Sequence, residues 1–252
     1  MTAPEAKDPS GAIRHVAVVV PAHNEEHHLG RTLTSLRRAV QNLELRCPAV
    51  TASITVVLDS CTDGSAGIAA QSAAERRFTA LSVRLRSAGA SRAAGVEAAL
   101  AAECSDPQSM WLANTDADSS VPPGWLVRQV ELANAGADAV LGSVEPDPAD
   151  VNPDVLLRWL ELHPFQENHP YIYGANFGIR ASAYLGAGGF PRVRAHEDRI
   201  LAERLRRRGF RVVASDSLRV TTSGRTEARA PQGFAAYLRQ LAHKVPAVSE
   251  SA

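Results

Sequence analysis

The chain has 252 residues, of which 45% are hydrophobic and 21% charged, the composition of an ordinary globular protein rather than a disordered or membrane-spanning one. Lysine plus arginine equal aspartate plus glutamate at 27 each, so no global positive field draws the chain to nucleic acid, and no nucleic-acid partner is expected. The cysteines, Cys47, Cys61 and Cys104, form no Cys-x-x-Cys pair, which argues against a disulfide framework or a structural zinc site and for a reducing, cytoplasmic home.

Residues 1–13 lack the apolar run of a signal peptide and are expected to form a flexible N-terminal tail. Val16 to Val20 and Ile54 to Leu58 are runs rich in β-branched residues, suited to strands buried on both faces. Between them Leu29, Leu33, Leu36 and Val40 recur at helical spacing, giving a strand, helix, strand unit and predicting a parallel sheet. A helix after Asp63 through Ala74, a strand near Leu81 to Leu85, a helix from Ser91 to Ala102 and a strand at Met110 to Ala113 continue the alternation. The pattern is a doubly wound α/β fold. Ligands of such sheets bind beyond the carboxyl ends of the strands. Weight therefore falls on Pro21 to Glu26, Asp59 to Gly64 and Asn114 to Asp118.

After Val121, frequent prolines predict a stretch dominated by loops. A helix from Pro153 to Leu162, a glycine-rich stretch from Gly174 to Gly189, and a helix from Asp198 to Arg208 capped by Gly209 follow. Arg211 to Ala214 reads as a late strand, Pro231 to Leu241 as a final helix, and 246–252 as a flexible tail. No stretch approaches the roughly 20 apolar residues that cross a bilayer, so no transmembrane segment is expected and any membrane contact would be peripheral.

Asp116 and Asp118 stand one residue apart where a buried strand should end. Hard cations such as Mn²⁺ or Mg²⁺ take oxygen ligands, and one or two carboxylates plus substrate phosphates suffice for Mg²⁺. A lone Asp-x-Asp also serves as a solvated turn or a helix cap. Here an earlier strand ends in Asp59 as well, and two acidic strand ends favour a shared site. Glu197 and Asp198 open a helix, where the dipole favours ionised carboxylates and where simple N-terminal capping is the alternative role.

Three segments in this order, Val18-Val19-Val20-Pro21-Ala22-His23-Asn24-Glu25-Glu26, Val56-Val57-Leu58-Asp59-Ser60-Cys61-Thr62-Asp63-Gly64-Ser65 and Asp116-Ala117-Asp118, resemble the family-two glycosyltransferases. The resemblance extends through Gly89-Ala90-Ser91-Arg92-Ala93-Ala94-Gly95, Gly174-Ala175-Asn176 and His196-Glu197-Asp198, about residues 14 to 225. It implies a single GT-A (nucleotide-diphospho-sugar transferase) domain over residues 14–245, with a doubly wound, mostly parallel central sheet flanked by helices. Residues 14–120 would form its nucleotide-binding half and 121–245 its acceptor-binding half.

By that resemblance Pro21, Ala22, His23, Glu25, Asp59, Arg92 and Asp116 line the nucleotide pocket. Asp59 would face the base, Arg92 would lie near the base or diphosphate, and Asp116 would approach the ribose. Asp118, with Asp116, would hold a divalent metal, Mn²⁺ or Mg²⁺. Gly174, Ala175 and Asn176 would contact donor sugar and acceptor, Arg225 the diphosphate, and Asp198 would be the general base with Glu197 as second choice. The implied activity moves one sugar, with inversion, from a nucleotide diphosphate sugar, UDP-linked by preference, to an acceptor hydroxyl. The basic stretch from Arg192 to Arg211 suits an anionic or lipid-linked acceptor. Two alternatives stand beside it: a retaining GT-A enzyme of the glucosyl-3-phosphoglycerate synthase kind, and a catalytically silent nucleotide-binding module.

Overall fold

At the centre of the sheet lies β1 (His15–Ala22), with Val16, Val18 and Val20 packed on one face and Ala17 and Val19 on the other. Both faces are covered, which is why the run shows no polar alternation. The computed structural model describes residues 11–73, 77–103, 106–193, 195–226 and 233–244. Helix α1 (Leu29–Arg46) buries Leu29, Leu33, Leu36, Val40 and Leu43 against the first face. On that side α2 (Ser65–Ala73) follows β2 (Thr51–Asp59), and β3 (Phe78–Val83) extends the sheet. The opposite face is covered by α3 (Ala88–Ala102) through Ala93, Val96 and Ala99. Here Gly95 touches the sheet so closely that a Cβ would meet Val19 Cγ1 at 2.5 Å.

Beside β1 on its other edge runs β4 (Met110–Asn114), also parallel. The remaining strands are β5 (Ser119–Ser120), β6 (Ala139–Pro146), β7 (Phe177–Arg180) and β8 (Val212–Thr222). The sheet order is β3-β2-β1-β4-β7-β6-β8-β5, with β7 antiparallel to β4 and β6, β8 parallel to β6, and β5 antiparallel to β8. The result is one mixed, mostly parallel sheet flanked by helices.

The second half is more regular than its prolines predict. Helix α4 (Trp125–Asn134) starts just after Pro122 and Pro123 and buries Trp125, Leu126, Val130 and Ala133. The prolines precede a helix rather than interrupt one. The glycine-rich stretch is likewise not a loop but a 3₁₀ turn at Gly174–Asn176, then β7, then α6 (Ala181–Gly186). Gly178 lies inside β7 because Trp111 and Gln129 fill the space beside it, and a Cβ would meet Trp111 Nε1 at 2.7 Å. Glycine there marks close packing.

Two more helices form where the sequence places them, α5 (Pro153–Leu162) and α7 (Glu197–Arg207), and α8 is described as Phe234–Lys244. In α5, Asn152 caps the first turn by accepting from the Asp154 N–H at 2.9 Å, with Pro153 following it. Strand β3 ends at Val83, so Leu85 lies beyond it, and β8 runs well past Ala214. Residues 1–10, 231–232 and 246–252, and Cys104, lie outside the described residues. No helix among the described residues is long and apolar enough to cross a membrane.

Candidate active site

The carboxyl ends of β1, β2 and β4 bring the three expected loops together. The first two are laced: His23 Nδ1 lies 2.6 Å from the Asp59 carbonyl, the Thr62 N–H donates to Asn24 Oδ1 at 2.8 Å, and the Glu25 N–H donates to Ser65 Oγ at 2.8 Å. A reciprocal pair completes the lacing, with the Glu26 N–H donating to Asp63 Oδ2 at 3.0 Å and the Gly64 N–H donating to Glu26 Oε2 at 2.8 Å. Asn24 and Ser60 sit at φ 55° and 54°. Such left-handed turns in non-glycine residues persist where the surroundings hold them, as these bonds do.

Asp59 is 4% exposed. Its Oδ1 accepts from the N–H groups of Leu85 and Arg86 at 2.8 and 2.9 Å, and its Oδ2 accepts from the Ser87 N–H at 3.1 Å and the Ser91 hydroxyl at 2.8 Å. Burial alone would raise this carboxyl. The hydrogen bonds, led by those from Arg86 and Ser91, outweigh it and hold the group below the ordinary carboxylate range. Asp59 thus shapes the turn between β3 and α3.

Two arginines interleave with the remaining carboxylates. Arg92, 3% exposed, pairs with Asp116 through Nη2 and with Glu197 through Nη1. Burial opposes its charge, but Asp116 and then Glu197 raise its pKa above the ordinary arginine value. Glycine makes room on both sides: a Cβ on Gly174 would meet Arg92 Nη2 at 2.6 Å, and one on Gly89 would meet Glu197 Cβ at 2.8 Å. Arg92, expected near base or diphosphate, bridges two acidic motifs.

Arg225 is the second arginine. It grips Glu25 with both terminal nitrogens, at 2.9 and 2.8 Å, and reaches Asp118 Oδ2 at 2.8 Å. The pairing of β5 with β8 carries it there, since Ser119 is opposite Thr222 and the Ser223 N–H donates to the Asp118 carbonyl at 3.2 Å.

On the far side of Arg92, α7 follows His196, whose φ is 65°. Glu197 is buried in its ion pair, whereas Asp198 is partly exposed and accepts from the Arg199 N–H at 2.7 Å. The geometry thus separates the neighbouring carboxylates: one is spent and the other is open.

The model of "Glycosyl transferase family 2" matches residues 17–186, well over half of the chain. The chain belongs to that family. Among solved structures, this family 2 chain is similar to S. aureus TarS 1-349 in complex with UDP, with 14% identity, 83% of this chain and 61% of that chain covered, and a TM-score of 0.62. It is also similar to the mannosyltransferase PcManGT from Pyrobaculum calidifontis in complex with GDP-Man and Mn²⁺, at 18% identity, coverage of 86% and 59%, and TM-score 0.57. For M. tuberculosis glucosyl-3-phosphoglycerate synthase the values are 18%, 91% and 78%, and 0.52. At these identities the likeness concerns the GT-A fold. This chain spans less than two thirds of the TarS and PcManGT chains. No curated protein gives a significant sequence match.

In this family 2 domain the residues suited to a cation are Asp116 and Asp118. Burial first, and the adjacent Asp116 second, push the Asp118 carboxyl up to about 7 against the pull of Arg225. Among the described residues no group of three or more His, Cys, Asp or Glu could hold a metal. The donor set fits a hard cation that brings its other oxygens with a diphosphate, and not one caged by protein alone.

Asn176, expected at donor sugar and acceptor, is buried and hydrogen-bonded. It is 0% exposed, its Nδ2 donates to the Ser143 and Leu218 carbonyls at 2.8 Å each, and its Oδ1 accepts from Trp125 Nε1 at 2.9 Å. It locks α4, β6 and β8 together, while Ala175 is buried beside it and Gly174 lies against Arg92. Sequence reasoning also missed Ser87 and Ser91 as partners of Asp59, whose only signal was the N-cap that Ser87 forms on α3. Near α5, Trp159 is a packing residue: it is 1% exposed, stacks on His163 at 3.6 Å and meets Phe234 edge-on at 4.9 Å.

Proposed function

We propose that this chain transfers one glycosyl group from a nucleoside diphosphate sugar to an acceptor hydroxyl, with Asp198 as the general base. One observation carries the reading: Arg92 ties Asp116 of the donor-side motif to Glu197, leaving the adjacent Asp198 open at the start of α7. Asp198 takes the proton from the acceptor hydroxyl as that oxygen bonds to the anomeric carbon. The bond from that carbon to the diphosphate oxygen breaks, and the nucleoside diphosphate leaves with the electron pair. Attack opposite the leaving group inverts the anomeric centre. Glu197 is unsuited to this step because its carboxylate is buried against Arg92.

The laced β1 and β2 loops would form the nucleotide wall, with Pro21, Ala22 and His23 at its floor and Asp59 acting on the base through the turn it orders. Asp116 would approach the ribose. A divalent cation bound by Asp118 and Asp116 would neutralise charge on the departing diphosphate. Arg225 would add to that neutralisation, and Gly174 would let the sugar approach the backbone. UDP is the favoured nucleotide, in keeping with the TarS complex. An anionic or lipid-linked acceptor suits the arginines of α7.

The test is transfer from a panel of UDP-, GDP- and dTDP-sugars with Mn²⁺, followed by anomeric analysis of the product by NMR. Asp198→Asn should lower turnover by about 10²–10⁴-fold and leave the melting temperature unchanged. Full activity in that variant would remove Asp198 from the chemistry. A product with retained configuration would favour the glucosyl-3-phosphoglycerate synthase kind of reaction, a relationship the structural likeness keeps open.

A further inference from the structure

Arg225 joins carboxylates from two separate loops of the site. Glu25 follows β1 and Asp118 follows β4, and one guanidinium contacts both at 2.8 Å through Nη2 while Nη1 holds the second oxygen of Glu25 at 2.9 Å. The backbone that carries it is fixed. The Thr222 hydroxyl lies 3.4 Å from Asp118 Oδ1, the Ser223 hydroxyl donates to Asp150 Oδ2 at 3.1 Å, and a Cβ on Gly224 would meet Val151 Cβ at 2.8 Å. The side chain is therefore aimed at Asp118 by packing.

A divalent cation on Asp118 would lie beside the guanidinium that already pairs with Asp118 Oδ2, and two positive groups at that distance repel. The guanidinium and the cation are alternative partners of one carboxylate. We propose that Arg225 is the exchangeable counter-ion of the cation site. It holds Asp118 and Glu25 in the empty protein, and a divalent cation gains Asp118 only by displacing it. Once displaced, the guanidinium faces the diphosphate that arrives with the cation, which couples donor entry to opening of the bridge. The inference rests on Asp118 being the cation ligand in the proposed function.

The experiment is a titration with Mn²⁺ alone, without nucleotide, reading free Mn²⁺ by electron paramagnetic resonance. Arg225→Gln should bind Mn²⁺ about tenfold more tightly than wild type, the scale of a partly buried ion pair, and adding Asp118→Asn should abolish the gain. Because Arg225→Gln leaves two acids uncompensated and could fail to fold, Glu25→Gln/Arg225→Gln serves as the second variant. It removes one charge of each sign, keeps the local net charge, and should also bind more tightly than wild type. Wild-type or weaker affinity in whichever of these variants fold, or a gain that survives Asp118→Asn, overturns the exchange. The titration contains no sugar donor, so absence of transfer activity and absence of exchange are read separately.

Discussion

Replacing Arg92 with methionine removes the guanidinium that holds Glu197 and Asp116 but keeps much of its aliphatic volume. The Glu197 pair is buried on both sides, with side-chain exposures of 4% and 8%. Asp116 is 36% exposed and can turn to water, so its share is discounted. Removing one partner of a buried pair costs about 3–5 kcal/mol, because the other charge stays behind without compensation. With a urea m-value of about 3 kcal/mol/M, that lowers the denaturation midpoint by about 1–2 M. Urea unfolding followed by circular dichroism measures it. The double variant Arg92→Met/Glu197→Gln removes the stranded charge as well and should recover at least about half of the loss. A single-variant midpoint within about 0.2 M of wild type would refute the claim that this bridge holds the two motifs in place.

Asp59→Asn should destabilise by about 2–4 kcal/mol, since an amide replaces one acceptor oxygen with a donor facing N–H groups. The Asp59 carboxyl lies below its ordinary value in the fold, so its contribution is present above the unfolded value of about 3.9 and is lost as pH falls through the folded one. The stability gap between wild type and Asp59→Asn should accordingly narrow between pH 7 and pH 3. Asn176→Ala should cost about 2–4 kcal/mol by orphaning Trp125 Nε1 and the Ser143 and Leu218 carbonyls, seen as a lower melting temperature with turnover per folded molecule retained. Unchanged melting with lost turnover would instead return Asn176 to the sugar.

The first half of the sheet is legible because its signals are local. Val16 to Val20 and Ile54 to Leu58 are buried on both faces, and Leu29, Leu33, Leu36 and Val40 mark one face of α1. Chain order then requires a parallel arrangement, and the polar residues after those strands meet at one edge. The second half hides its order because glycine and proline there do work that loops also do. Gly178 and Gly142 sit in strands to admit Trp111, Gln129 and Asn176, a need set by neighbours far along the chain.

What the sequence alone determined is the alternating α/β fold, the loops that follow β1, β2 and β4, and the set of acids and arginines that could carry chemistry: Glu25, Asp59, Asp116, Asp118, Glu197, Asp198, Arg92 and Arg225. Only the tertiary structure decided which of those charges are spent on one another. Asp59 closes on the turn before α3, Arg92 takes Glu197 and leaves Asp198, and the pairing of Ser119 with Thr222 delivers Arg225 to Asp118. A residue type sets the charge that a side chain can bear. Its partner is set by distance, and distances between loops remote in sequence are fixed only when the helices and the sheet have packed.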